Sequence, residues 1–180
     1  ALQNRCSQNI KMEIGKMHTI SAHTVHTYNT VRGIVNGNSI LLCLTINEVC
    51  VSSIELFLDD DENGTVLMNS YTSDACRGKH YNKLLRGIAI LVAPFVFPYA
   101  TTLSSEAENP ISAKLMIRDF GADAYDMNMT QVELTEDDMQ DPETFEAIVY
   151  TTIDLQNQML INRAAVVVNY LITRVSCNCD

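Results

Sequence analysis

The sequence predicts a single α/β domain built on a mixed, mostly antiparallel central sheet with helices on its faces. Three observations predict it: consecutive strand-like segments between Ser39 and Ser73, a switch to helical spacing at Arg77, and helix and strand signals alternating from there on. At 180 residues the chain suffices for one ordinary core and is short for two, so residues 1–180 are expected to form one domain. Its 47% hydrophobic and 19% charged residues exclude a disordered or collagen-like chain.

The elements follow in order. The first 35 or so residues are polar with mixed periodicity, and Asn36-Gly37-Asn38 punctuates the chain. Ser39 to Ile46 and Val49 to Leu58 read as strands, rich in apolar and β-branched positions. Asp59 to Gly64 is a turn whose Asn63-Gly64 pair is a strong hairpin signal, and Thr65 to Ser73 returns as a third strand. From Arg77 to about Val92, Tyr81, Leu84, Leu85, Ile88 and Leu91 recur at helical spacing. Phe95 to Ser105 is strand-like. Asn109-Pro110 opens a helix, because Asn accepts from the free first-turn amides and Pro at the first position forfeits nothing, and Gly121 ends it. Tyr125 to Val132 reads as a short strand. Asp141-Pro142-Glu143 opens a helix carrying Phe145, Ile148, Val149, Thr152, Met159 and Leu160, and β-branched Ala164 to Val175 reads as a last strand.

Charge and cysteine usage narrow the function. Twelve basic against 22 acidic residues give a net charge of −10, which disfavours a nucleic-acid partner. A small anionic ligand stays open, because one helix N-terminus can hold a phosphate whatever the global charge. The apolar stretch from Gly87 to Ala100 is broken by Pro94 and Pro98 and is too short to span a membrane, and no charged-then-apolar leader precedes it. Cys6, Cys43, Cys50, Cys76, Cys177 and Cys179 lie in a chain that does not need a disulfide framework. Cys43 and Cys50 fit reduced thiols in apolar strands, and an intracellular, cytoplasmic setting is expected. The C-x-C at Cys177 and Cys179 has no second ligand pair nearby, so no metal is expected.

The junction from Tyr71 to Arg86 carries the chemistry. A strand ends, a loop with Arg77, Gly78 and Lys79 follows, and an amphipathic helix begins. First-turn amides and two cations can hold a pyrophosphate there. Neither the P-loop pattern nor the dinucleotide fingerprint is present, and an ordinary solvated strand–helix connection would give the same residues.

The run Arg77-Gly78-Lys79-His80-Tyr81-Asn82, followed by Leu84-Leu85, resembles the acetyl-CoA-binding motif R-G-x-G-x-G of the GNAT superfamily of N-acetyltransferases. Asn109, Ser112, Leu115, Met116, Arg118, Phe120 and Gly121 resemble the family's next motif, and the likeness spans roughly 39–132. The R-G-K-x-Y-N-x-L-L-R form looks similar to a divergent branch that includes proteins of large DNA viruses. His80 and Asn82 stand where the motif has glycine or alanine, Met116 where a proton-donating tyrosine is common, and the closing G-F is inverted.

The resemblance implies a GNAT-like fold and transfer of an acetyl group from acetyl-CoA to an amine by direct attack. It implies a pantetheine arm along the backbone of Ser70, Tyr71 and Thr72, and a pyrophosphate on Gly78 to Asn82 beside Arg77 and Lys79. Asn109 would border the thioester. Glu106 would be the base, and Tyr71 or Tyr81 the acid, although each has an equally ordinary structural reading. The acidic surface suits a cationic acceptor such as a polyamine, an aminoglycoside or a lysine-rich peptide. A second reading keeps the fold without the chemistry, as a CoA-binding or protein-interaction module. A third is an interaction protein that binds no nucleotide.

Other motifs are weaker. Asp59, Asp61, Asn63 and Gly64 match half a calcium loop, but Ser70 stands where the bidentate glutamate is needed. His18, His23 and His26 cluster without a partner at ligand spacing, although His23 and His26 would share a face of a helix. Asn63-Gly64-Thr65 and Asn128-Met129-Thr130 are sequons, meaningful only in a secreted protein. Asp137 to Asp141 reads as a solvated charge run.

Overall fold

From its first strands to Thr72 the chain folds back on itself as an antiparallel meander. The strands are β1 (Ile10–Ile14), β2 (His18–Asn29), β3 (Ile34–Ile46), β4 (Val49–Leu58) and β5 (Thr65–Thr72). The structure, a computed structural model, describes residues 10–14, 17–29, 34–59 and 64–177. Cys6, Asp61, Asn63 and Cys179 lie outside the described residues, as do the side chains of His23 and His26.

The polar N-terminal segment thus supplies a short strand and a long one, and His23 and His26 share a strand, not a helix face. Asn36-Gly37-Asn38 lies within β3. The register passes from His26↔Asn38 to Tyr28↔Val35, so the extra residue is absorbed as a bulge, where glycine belongs. Asn47 and Glu48, with φ of 49° and 67°, turn β3 into β4 in the doubly left-handed geometry that suits a two-residue hairpin. That hairpin brings Cys43 and Cys50 to a Cα separation of 6.2 Å, and they form a disulfide, correcting the expectation of two reduced thiols.

After β5, a 3-10 turn at Asp74–Cys76 leads through a loop into α1 (Tyr81–Val96). The helix starts later than the periodicity implied and runs past Pro94. The proline forfeits one bond to Ile90, while the Phe97 amide still donates to the Ala93 carbonyl at 2.9 Å. The strand expected from Phe95 therefore begins only with β6 (Thr102–Glu106). Next come α2 (Pro110–Phe120), β7 (Asp123–Tyr125) and β8 (Gln131–Val132). The strand expected at 125–132 is a hairpin, because the Asp126 carboxylate accepts from the amides of Asn128 and Thr130 and turns the chain.

The long helix expected after Asp141 is three pieces: a 3-10 turn at Pro142–Ala147, β9 (Tyr150–Asp154) and the start of α3 (Gln158–Cys177). Asp141 does cap, accepting from the Glu143 amide at 3.0 Å. The last predicted strand is also helix, because Ala164, Val168 and Leu171 are buried at helical spacing despite the β-branched composition.

The sheet order is β1-β2-β3-β4-β5-β6-β9-β7-β8, antiparallel except for β5 with β6. Leu42, Leu44, Ile54, Leu56, Val66 and Met68 are buried on alternate positions and meet α1, whose Leu84, Leu85, Ala89, Ile90 and Ala93 are buried in turn. α3 packs against α1 and α2. At Gly87 a Cβ would lie 2.6 Å from Val168 Cγ2, so glycine sets the close approach of α1 and α3. No helix of the described residues is long and apolar enough to cross a membrane.

Candidate functional site

The parallel pair β5–β6 is in register from Thr65↔Thr102 to Met68↔Ser105 and then ends. Beyond it β5 stays paired with β4 as far as Ser52↔Thr72, while the Ala107 amide turns the other way and donates to Val149 at 2.7 Å. The two strands splay, and among the described residues no strand lies beside one edge of residues 69–72.

A cleft of about 450 Å³ opens at this splay, between the end of β5 and the amino ends of α1 and α2. Of the residues expected at a cofactor, Ser70, Tyr71 and Thr72 line it from β5 and Asn109 from α2. Arg77, Gly78, His80, Tyr81 and Asn82 line it from the loop and α1. Lys79 instead lines an adjoining cavity of about 340 Å³ on the other side of the loop, together with His18 and Arg174.

The loop is shaped by left-handed residues. Gly78 has φ of +79° with open space where a Cβ would stand, and His80, the N-cap of α1, has φ of 63°. His80 gives no side-chain acceptor to the first turn of α1, whereas Asn109 Oδ1 accepts from the Ser112 amide at 2.8 Å at the start of α2. The amino end of α1 is therefore an electropositive terminus without a side-chain cap, next to exposed Arg77. Arg77 pairs with Asp74 at 3.0 Å across solvent.

The candidate acid and base residues differ in setting. Tyr71 is 61% exposed. Tyr81 is buried, and its hydroxyl lies 3.1 Å from His18 Nε2. Burial, and then the charge of Lys79, hold the His18 pKa below the usual 6.5. Glu106, exposed at the end of β6, is not among the cleft-lining residues, whereas Glu108 is. Met116 is buried in the core and offers no proton.

Sequence reasoning missed Arg86. It is 5% exposed and lines the cleft from the second turn of α1. Nε donates to Asn82 Oδ1 at 2.6 Å, and Nη2 donates to Ser70 Oγ and Ser112 Oγ, both at 2.8 Å. The Asn82 side chain is thus drawn along the helix toward Arg86. Burial lowers the Arg86 pKa to about 10, with Glu108 acting the other way. A charge inside the apolar run Leu84 to Ile90 was the available signal.

No protein-family model and no curated protein matches the chain. Among solved structures it is similar to a cAMP-binding acyltransferase from Mycobacterium smegmatis, with a TM-score of 0.50 and 12% identity, covering 92% of this chain and 56% of that one. The chain thus spans little more than half of that protein. It is also similar to a protein provisionally assigned as an acetyltransferase, with a TM-score of 0.50 and 11% identity, covering 86% of this chain and 91% of that one. The fold is that of the GNAT-like acetyltransferases: a large, mostly antiparallel sheet flanked by helices.

Proposed function

We propose that the chain is an acyl-CoA-dependent N-acyltransferase. The splay of β5 from β6 beside the uncapped amino end of α1 is the observation that carries this reading. An open strand edge can pair with the amide groups of a pantetheine arm as with an added strand, at residues 69–72. The loop amides from Gly78 to Asn82, with Arg77, suit a pyrophosphate, and Lys79 faces the adjoining cavity instead. The cleft is of the size at which small-molecule sites form.

In the reaction an acceptor amine attacks the thioester carbonyl. The C–N bond forms, the C–S bond breaks, and the sulfur leaves as a thiolate. The amine loses one proton and the thiolate gains one, giving an amide and free CoA. Glu108, which lines the cleft, is better disposed than Glu106 to take the proton. Tyr71 is the better donor to the thiolate, since the Tyr81 hydroxyl is buried beside His18. The net charge of −10 favours a cationic amine acceptor, polyamine or lysine-rich peptide.

Melting with and without millimolar acetyl-CoA, with ATP as control, tests the site. A ligand at 100 times its dissociation constant adds about 2.7 kcal/mol, a rise of several degrees. A rise with acetyl-CoA and none with ATP is expected; no rise with any CoA species overturns the reading. Buried Met116, in place of a proton donor, favours a second reading in which CoA is bound but no acyl group moves. Release of free CoA over a panel of amines separates the two.

A further inference from the structure

Arg86 carries five N–H donors, and the protein occupies three. Nε is taken by Asn82, and the two donors of Nη2 by Ser70 and Ser112. Nη1 is buried and, among the described residues, has no hydrogen-bond partner. All three acceptors are neutral, and among the described residues no carboxylate lies within ion-pair distance of the guanidinium. Even with its pKa lowered to about 10, the group is a cation at neutral pH. A buried cation with two unused donors is costly unless an anion completes it.

Its position says which part of a ligand meets it. Ser70 has the inward parity of Val66 and Met68 and lies two residues past Met68, the last β5 residue paired with β6. Ser112 holds the same nitrogen from α2. The guanidinium is therefore fixed where β5, α1 and α2 converge at the fork of the splay, a full turn inside α1 from its amino end. A phosphate group would be served by the amides of that end instead.

We propose that Arg86 recognises a carboxylate on the acyl chain, so that the preferred donor is the CoA monothioester of a dicarboxylic acid. This rests on the reading of the cleft as an acyl-CoA site and narrows its acyl group. A planar guanidinium already fixed by three hydrogen bonds meets a carboxylate with little loss of freedom.

Titration calorimetry of the full chain with succinyl-CoA, acetyl-CoA and CoA is the test. The wild-type protein is expected to bind succinyl-CoA about tenfold or more tighter than acetyl-CoA. In Arg86→Gln that ratio falls to about one, whatever loss the three ligands share. Equal binding of the two thioesters by the wild type overturns the inference and leaves the acyl-CoA site standing. So does a ratio that survives in Arg86→Gln, or an equal loss of all three ligands in it, which would assign Arg86 to the CoA moiety. If no CoA species binds the wild type, the reading of the cleft falls and this inference with it. The wild-type ratio decides even if the variant does not fold.

Discussion

At the scale of single residues, His18 shows how the loop before α1 is tied to the sheet. It sits on β2, 3.1 Å from the hydroxyl of Tyr81 at the first position of α1. Burial first, and Lys79 second, lower its pKa, so the folded protein resists protonation that the unfolded chain accepts near pH 6.5. The stability this contributes is present above pH 6.5 and is lost as the pH falls toward the folded value. The melting temperature should therefore drop more between pH 7.5 and 5.5 in the wild type than in His18→Gln, which lacks this imidazole. Parallel curves would show that His18 is not the group that responds.

At the scale of elements, α2 isolates the worth of a cap. Asn109 Oδ1 satisfies the Ser112 amide, and Gly121, with φ of 72°, closes the other end through its own amide and Ile117. Asn109→Ala should cost about 1 kcal/mol in urea unfolding, and Asn109→Asp should recover most of it. This helix was legible in the sequence because both ends are written in local chemistry, as was the return of β5 antiparallel to β4. Elements decided by distant contacts were not. The segment 164–175 has the β-branched content of a strand, but Ala164, Val168 and Leu171 bury one helical stripe against α1 and α2, and tertiary packing overrides propensity. Residues 150–154 are a strand because they pair with the edge of β6 opposite β5, which no local signal announces. The candidate site divides in the same way. The loop from Arg77 to Asn82 was visible as a motif, but Arg86 acquires meaning only when Ser70 and Ser112 arrive from two other elements.

At the scale of the whole molecule, α3 joins the two halves of the fold. α1 packs on β3, β4 and β5, α2 packs on β7 and β9, and α3 touches both helices. Ala164, Val168 and Leu171 are at most 6% exposed, and Gly87 leaves room for Val168 and, a little farther off, the Phe120 ring. Removing α3 uncovers the outer face of α1, the helix whose amino end and second turn form the cleft. Burying Val168 and Leu171 is worth about 1.5–3 kcal/mol each, a large part of the roughly 5–15 kcal/mol that holds a domain together. A chain ending at Asn157 should therefore lose its cooperative melting transition in circular dichroism, and with it any stabilisation by acetyl-CoA. If that shortened chain still melted cooperatively, the sheet with α1 and α2 would be a self-sufficient core. α3 would then be an accessory to the fold, and the cleft would owe its shape to β5, α1 and α2 alone.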